Sequence, residues 1–254
     1  MTALQEARMQ RWWRDGPPIR TIDEAREYVH DVHFSLLFGG AQGRYPSLRE
    51  ASRDYSAPRQ PSGWGPDIEA MWTWKDELPV RGDAWLGRYI SGKQTLLAPA
   101  MLADLYEWPG AEDDFEHVRQ LTPAAHRLAR HLLDEGATST RVARAVLGLA
   151  PKTVDRAITE LGRHLLVTNY GVEAGAGWDS CVLELTTRVF HVPSAGGRDE
   201  RDAAAAARFT DTMISSRPIE LRRAFGWSKE RAERAFAAAP TVPEPTETDS
   251  LAER

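Results

Sequence analysis

The sequence predicts a mainly α protein built from tandem winged-helix or helix-turn-helix units with small β-hairpin wings. Three observations carry this. Threonine or serine repeatedly precedes a run of apolar residues at helical spacing, as helix N-caps do. The middle of the chain reads helix, helix, turn, helix, strand, tip, strand, which is the order of a winged helix. Part of that pattern, RAVLGLAPKTVDRAITEL, lies over a later segment, RRAFGWSKERAERAFAAA.

The N-terminal part, 1–118, opens with a short helix. Thr21 and Glu24 form a capping-box pattern, which starts a second helix running through EAREYVHDVHFSLLF until Gly39 and Gly40. PSLREASRDYS predicts a short helix, and SAPRQPSGWGPD has the turn chemistry of a loop. IEAMWTWKDELP predicts a helix stopped at Pro79. GKQTLLAP predicts a short strand and turn before a helix on AMLADLYEW.

The middle part, 119–193, is the clearest. Thr122 caps a helix with Pro123 at its first position, and Gly136 ends it. Ser139 caps a second helix. KTVDRAITELGRH is a third, with Val154, Ala157, Ile158 and Leu161 on one face. LLVTNYGVE and WDSCVLELTTRVF are the two strands of a hairpin whose tip is AGAG. The segment 194–239 predicts three helices without a wing, on DAAAAARFTDTMISS, PIELRRAFG and WSKERAERAFAAA. The last stretch, 240–254, reads as a disordered acidic tail.

Composition narrows the function. With 254 residues, 42% hydrophobic and 27% charged, the chain can bury a sizeable core. No apolar run approaches the roughly 18 residues of a membrane span, and the charged N-terminus is not a secretory signal. One cysteine, Cys181, leaves no intramolecular disulfide and no multi-cysteine zinc site. These features read as a protein of the reducing cytoplasm. Residues 1–118 hold 13 basic and 19 acidic groups, whereas 119–193 hold 9 and 7, so only the middle is net positive. A nucleic-acid partner therefore has to be met by a local patch.

Such a patch is available. Lys152, Thr153, Arg156 and Arg163 occupy polar positions of the third helix of the middle unit. In helix-turn-helix proteins that helix enters the major groove with its N-terminal residues at base edges. Arg141 and Arg144 can contact phosphates, and Tyr170 and Trp178 near the wing tip can stack or enter a minor groove. The bland alternative is a solvated helix face or a protein-interaction module, since Asp155 and Glu160 dilute the charge.

A second feature is the run Glu69–Pro79, with Trp72 and Trp74 among the carboxylates Glu69, Asp76 and Glu77 and beside Lys75. A carboxylate held against tryptophan in a dry pocket has a raised pKa and can do acid–base work. Alternatively the tryptophans are core and the charges are solvated. His30 and His33, three apart, have no evident third ligand, and GGAQGRYP lacks the Lys-Ser/Thr of a phosphate loop.

EYVHDVHFSLLFGGAQGRYPSLREA, MWTWKDELP, GRYISGKQTLLAPAMLADLYEW and the unit ending in VTNYGVEAGAGWDSCVLEL together resemble the AlkZ-related group of the winged-helix DNA glycosylase family. The resemblance spans roughly 20–238. It implies stacked winged helices, double-stranded DNA as partner, and excision of alkylated or crosslinked purines by N-glycosidic hydrolysis. It implies no metal and no organic cofactor, and a nucleoid-associated place of work. Trp72, Trp74 and Lys75 would contact the lesion or the opened base stack. Asp76 or Glu77 would orient water or stabilise the sugar cation, with Glu69 in reserve. Two departures stand against catalysis. The Gln-x-Gln pair of the family's glycosylases is absent, and Trp74 stands where the family tends to have histidine. The alternative is a non-catalytic DNA-binding regulator or an interaction module. No motif sets an oligomeric state.

Overall fold

A computed structural model describes residues 2–39, 43–61, 63–175, 179–193 and 197–239. Within them the chain is mainly helical, with two three-stranded antiparallel sheets.

The N-terminal region contains α1 (Ala3–Arg11), α2 (Ile22–Asp31), β1 (Phe34–Leu36), α3 (Leu48–Ala51), α4 (Pro66–Val80), β2 (Trp85–Arg88), β3 (Gln94–Leu97) and α5 (Pro99–Leu105). Thr21 and Glu24 close the expected capping box on α2. That helix is shorter than the sequence suggests. It ends at Asp31, His33 turns into the left-handed region with φ 62, and Phe34–Leu36 pairs with β3 as a strand. Phe34, Ser35 and Leu36 are all buried, and a uniformly apolar run fits a strand between two layers as well as a helix. The sheet order is β1-β3-β2, with Leu97 opposite both Phe34 and Trp85. Helix α4 also differs, because it passes through Pro79 to Val80. The missing proline N–H removes one bond in the last turn, where the helix is about to end.

Next come α6 (Pro123–Glu135), β4 (Thr138–Ser139), α7 (Thr140–Leu147), α8 (Pro151–Arg163), β5 (Val167–Glu173), β6 (Ser180–Leu185) and α9 (Thr186–Val189). Thr122 and Ser139 cap α6 and α7 as expected, and Gly136 ends α6. β5 and β6 form the expected hairpin, with a bulge between Asn169 and Val172. Two residues after Gly136, Thr138 and Ser139 add a third strand to β6. The second hairpin strand stops at Leu185. Thr186 is buried, its N–H donates to Leu166 O, and the chain turns into α9. The last elements are α10 (Arg198–Met213), α11 (Pro218–Phe225) and α12 (Lys229–Ala238), the last capped by Ser228. The acidic tail expected over 240–254 lies outside the described residues.

Three apolar clusters result. One gathers Phe115, Leu128, Leu132, Ala157, Leu161 and Leu183 between α6, α8 and the hairpin. A second packs α2 and α4 on one face of the first sheet through Tyr28, Val29, Met71, Trp74 and Leu96. The third joins the N-terminal helix and first sheet to α10 and α11: Trp12, Phe34 and Trp85 meet Phe209, Leu221 and Phe225. Phe34 stacks on Phe209 at 5.5 Å with the rings 8° from parallel. The two sheets approach where the Leu86 N–H donates to Thr168 Oγ1 at 3.2 Å.

Candidate nucleic-acid interface

Helix α4 has two differently buried halves. Pro66 sits at its first turn, and Met71, Trp74 and Leu78 turn inward to the second cluster. Trp74 is 6% exposed and Trp72 42%. The structure thus makes Trp74 a core residue and leaves Trp72 alone as the aromatic contact on this helix. Trp72 has company that the sequence did not suggest. Phe38 and Trp64 are both exposed, with ring centroids 6.0 and 6.1 Å from that of Trp72. The Lys75 ammonium lies 4.6 Å from the Trp72 ring centroid, a cation–π arrangement. Glu69, one turn before Trp72, accepts from Trp64 Nε1 at 3.1 Å. Glu69 is therefore the carboxylate that belongs to this exposed aromatic patch.

Asp76 lies two turns after Glu69 on the same face, but there β5 covers the helix. Both Asp76 oxygens accept from Lys75 Nζ, at 2.6 and 2.7 Å. Asn169 Nδ2 on β5 donates to Asp76 Oδ1 at 2.8 Å, and Asn169 Oδ1 accepts from Cys181 Sγ. A buried acid–base pair of this kind holds only with further hydrogen bonds, and Asn169 supplies one. Burial, with Asp76 nearby, pushes the Cys181 thiol up to about 12, so the thiolate is not available near neutral pH. Glu77 projects to solvent, away from this network. Asn169 carried one signal in the sequence, a polar residue in a buried strand. Cys181 is its partner across the hairpin.

Helix α8 presents the other candidates. Val154, Ala157 and Leu161 are buried. Lys152, Arg156 and Arg163 fall on the opposite face, at spacings of four and seven, and are exposed. Among the described residues no ion pair engages these three. Thr153 is half-buried in the first turn, its N–H donating to Ala150 O. Arg144 is held by Asp155 at 2.9 Å, and Arg141 has Glu173 at 4.0 Å. Tyr170 is half-buried on β5. Trp178 lies outside the described residues. Gly162 brings α8 against β2: a Cβ there would stand 3.2 Å from Arg88 N. Between α4, α8, β2 and the hairpin lies a cavity of about 130 Å³, lined by Lys75, Ile158, Gly162, Asn169 and Cys181. The two candidate regions are thus neighbours across one small cavity. His30 and His33 do not share a helix face. His33 is past the helix end and contacts Asp211 at 3.2 Å.

Residues 19–235 match the family described as AlkZ related. The chain belongs to the AlkZ-related family. No curated protein matches this AlkZ-related chain. Among solved structures it is similar to the Streptomyces sahachiroi DNA glycosylase AlkZ, at 9% identity and a TM-score of 0.55. The match covers 92% of this chain and 63% of that one, so the AlkZ-related chain spans less than two thirds of that glycosylase. At this identity the likeness concerns the fold. No described helix of the AlkZ-related chain is long and apolar enough to cross a membrane.

Proposed function

We propose that this chain binds double-stranded DNA in the cytoplasm, at the nucleoid, and hydrolyses the N-glycosidic bond of alkylated or crosslinked purines. In this reading residues 119–193 form a winged helix between an N-terminal unit, 1–118, and a wingless one, 194–239. Helix α8 would enter the major groove with Lys152 and Thr153 leading, and Arg156 and Arg163 would meet phosphates.

The observation that carries the excision chemistry is the exposed patch of Trp72, Trp64 and Phe38 with Glu69 at its edge. Stacking of a base on an aromatic is worth roughly 1–3 kcal/mol, enough to help hold an unstacked lesion. Alkylation at N7 makes the purine cationic. The C1′–N9 bond then breaks with its electron pair going to the base, which leaves neutral. Water adds to the sugar cation at C1′ and loses a proton. In this reading Glu69 stabilises that cation and orients the water. Asp76 is given a positioning role, fixing Lys75 over Trp72.

Single-turnover incubation with N7-alkylated or crosslinked duplex, followed by alkaline cleavage at abasic sites, tests this. Breaks should form with the wild type, fall at least tenfold in Glu69→Gln, and fall less in Glu77→Gln. A non-catalytic DNA-binding role is favoured by one observation: Asp76, the buried carboxylate of the Glu69–Pro79 run, already has both oxygens occupied by Lys75. A protein that binds duplex but leaves no abasic sites on small or bulky adducts would establish that second role.

A further inference from the structure

Three open clefts follow one another along the molecule, and each shares an arginine with the next. The first, about 800 Å³, has Arg119, Arg156 and Arg163 on its walls. The second, about 540 Å³, lies between α8 and α11 and has Arg163 on one wall and Arg223 on the other. The third, about 580 Å³, lies between α1 and α11, with Arg223 and Arg44 on its walls. Among the described residues, none of these five arginines is in an ion pair.

The carboxylates in the same clefts are already engaged. Glu107 is held by Arg231 and by Arg198 at 2.8 Å. Glu160 accepts from the Thr122 N–H at 2.8 Å and from its hydroxyl at 2.5 Å. Glu220 accepts from the Arg217 N–H at 2.8 Å. Arg231 is shared with Asp202 at 2.6 Å, so Glu107, Asp202, Arg198 and Arg231 balance as a group. The arginines therefore set the sign of the trench, although the whole chain carries a net charge of −5. A compact anion would call for cations converging on one enclosed pocket. Here they are spread over adjoining open clefts, which suits a polyanion.

We infer that the three clefts form one phosphate-binding track for duplex DNA, running from α8 across α11 to the segment at Arg44, with Arg119, Arg223 and Arg44 as contacts beyond the helix-turn-helix. This rests on the duplex-binding half of the proposed function and is independent of excision. The C-terminal helices then act as part of the DNA-binding surface as well as of the core.

The test is the salt dependence of binding, by fluorescence anisotropy with a labelled undamaged duplex, over about 50–200 mM salt. Each phosphate contact contributes about 0.9 to the slope of log K against log salt. Arg44→Ala with Arg223→Ala should flatten the slope by about 2, and the Arg→Lys pair should keep it. The Lys pair, with far-ultraviolet circular dichroism of both, separates lost charge from lost fold. A wild-type slope in the Ala pair, while Lys152→Ala with Arg156→Ala flattens it, overturns the track and leaves duplex binding standing. No binding of wild-type protein to duplex at the lowest salt, or tighter binding to single-stranded RNA, overturns both.

Discussion

Trp72 and Trp74 are two residues apart in one helix and have opposite surroundings. Trp74→Ala removes a core side chain and should cost about 3–5 kcal/mol in chemical denaturation. Trp72→Ala should change stability by about 0.5 kcal/mol or less, yet weaken binding to alkylated duplex. A large stability loss at Trp72 would mean that its patch is structural. Asp211 gives a pH dependence. The His33 hydrogen bond, aided by Arg11 at 2.6 Å, holds this carboxyl at about 2, below its ordinary 3.8, although burial opposes this. A depressed carboxylate stabilises the fold above the ordinary value, and that stability is lost as pH falls toward 2. Asp211→Asn should therefore be less stable than wild type at about pH 6, with the gap narrowing as pH falls and closing below about 2. A gap that persists at the acid end would show that the lost contact does not depend on charge.

At the scale of elements, Gly162 is where α8 meets β2. Alanine in a helix interior is normally better than glycine by about 1 kcal/mol. Here its Cβ would meet Arg88 backbone N at 3.2 Å and O at 3.5 Å, and backbone cannot step aside as a side chain can. Gly162→Ala should lower the melting temperature, and a rise would show that the strand gives way. The elements were legible wherever a cap marked their start: Thr21, Thr122, Ser139 and Ser228 each begin a helix in the structure. They were not legible where only apolarity spoke. Phe34–Leu36 looked helical because nothing local distinguishes a buried strand from a buried helix, and β2 gave too short a pattern to register. The candidate site divides likewise. The stripe on α8 follows from helical spacing within a dozen residues. Of the neighbours of Trp72 and Asp76, Phe38, Asn169 and Cys181 arrive from distant segments that no spacing rule connects, whereas Trp64 sits just before the helix in a stretch that reads as loop.

For the whole molecule, the joining of α1 and the first sheet to α10–α12 in one apolar cluster predicts cooperative behaviour. Trp12 Nε1 donates to Thr212 O at 2.7 Å, and the Thr212 hydroxyl donates to Val32 O at 2.7 Å. Differential scanning calorimetry should show the first sheet and α10–α12 melting in one transition, with calorimetric and van't Hoff enthalpies equal for that unit. Two separated transitions, one removed by truncation after residue 193, would contradict it. Truncation there should leave Trp12, Phe34 and Trp85 without their cover and yield an aggregating product.

The same union has a consequence in time. Trp12 and Thr212 are 200 residues apart in the chain. Translation adds roughly 5–20 residues per second, so about 10–40 s pass between the emergence of one and of the other. From the emergence of β3, part-way through that interval, the nascent first sheet has one face dressed by α2 and α4 and the other covered only by α5 and its neighbours. The ribosome therefore carries a half-finished sandwich, and a chaperone that shields exposed aromatics should be found on the nascent chain until α10 arrives.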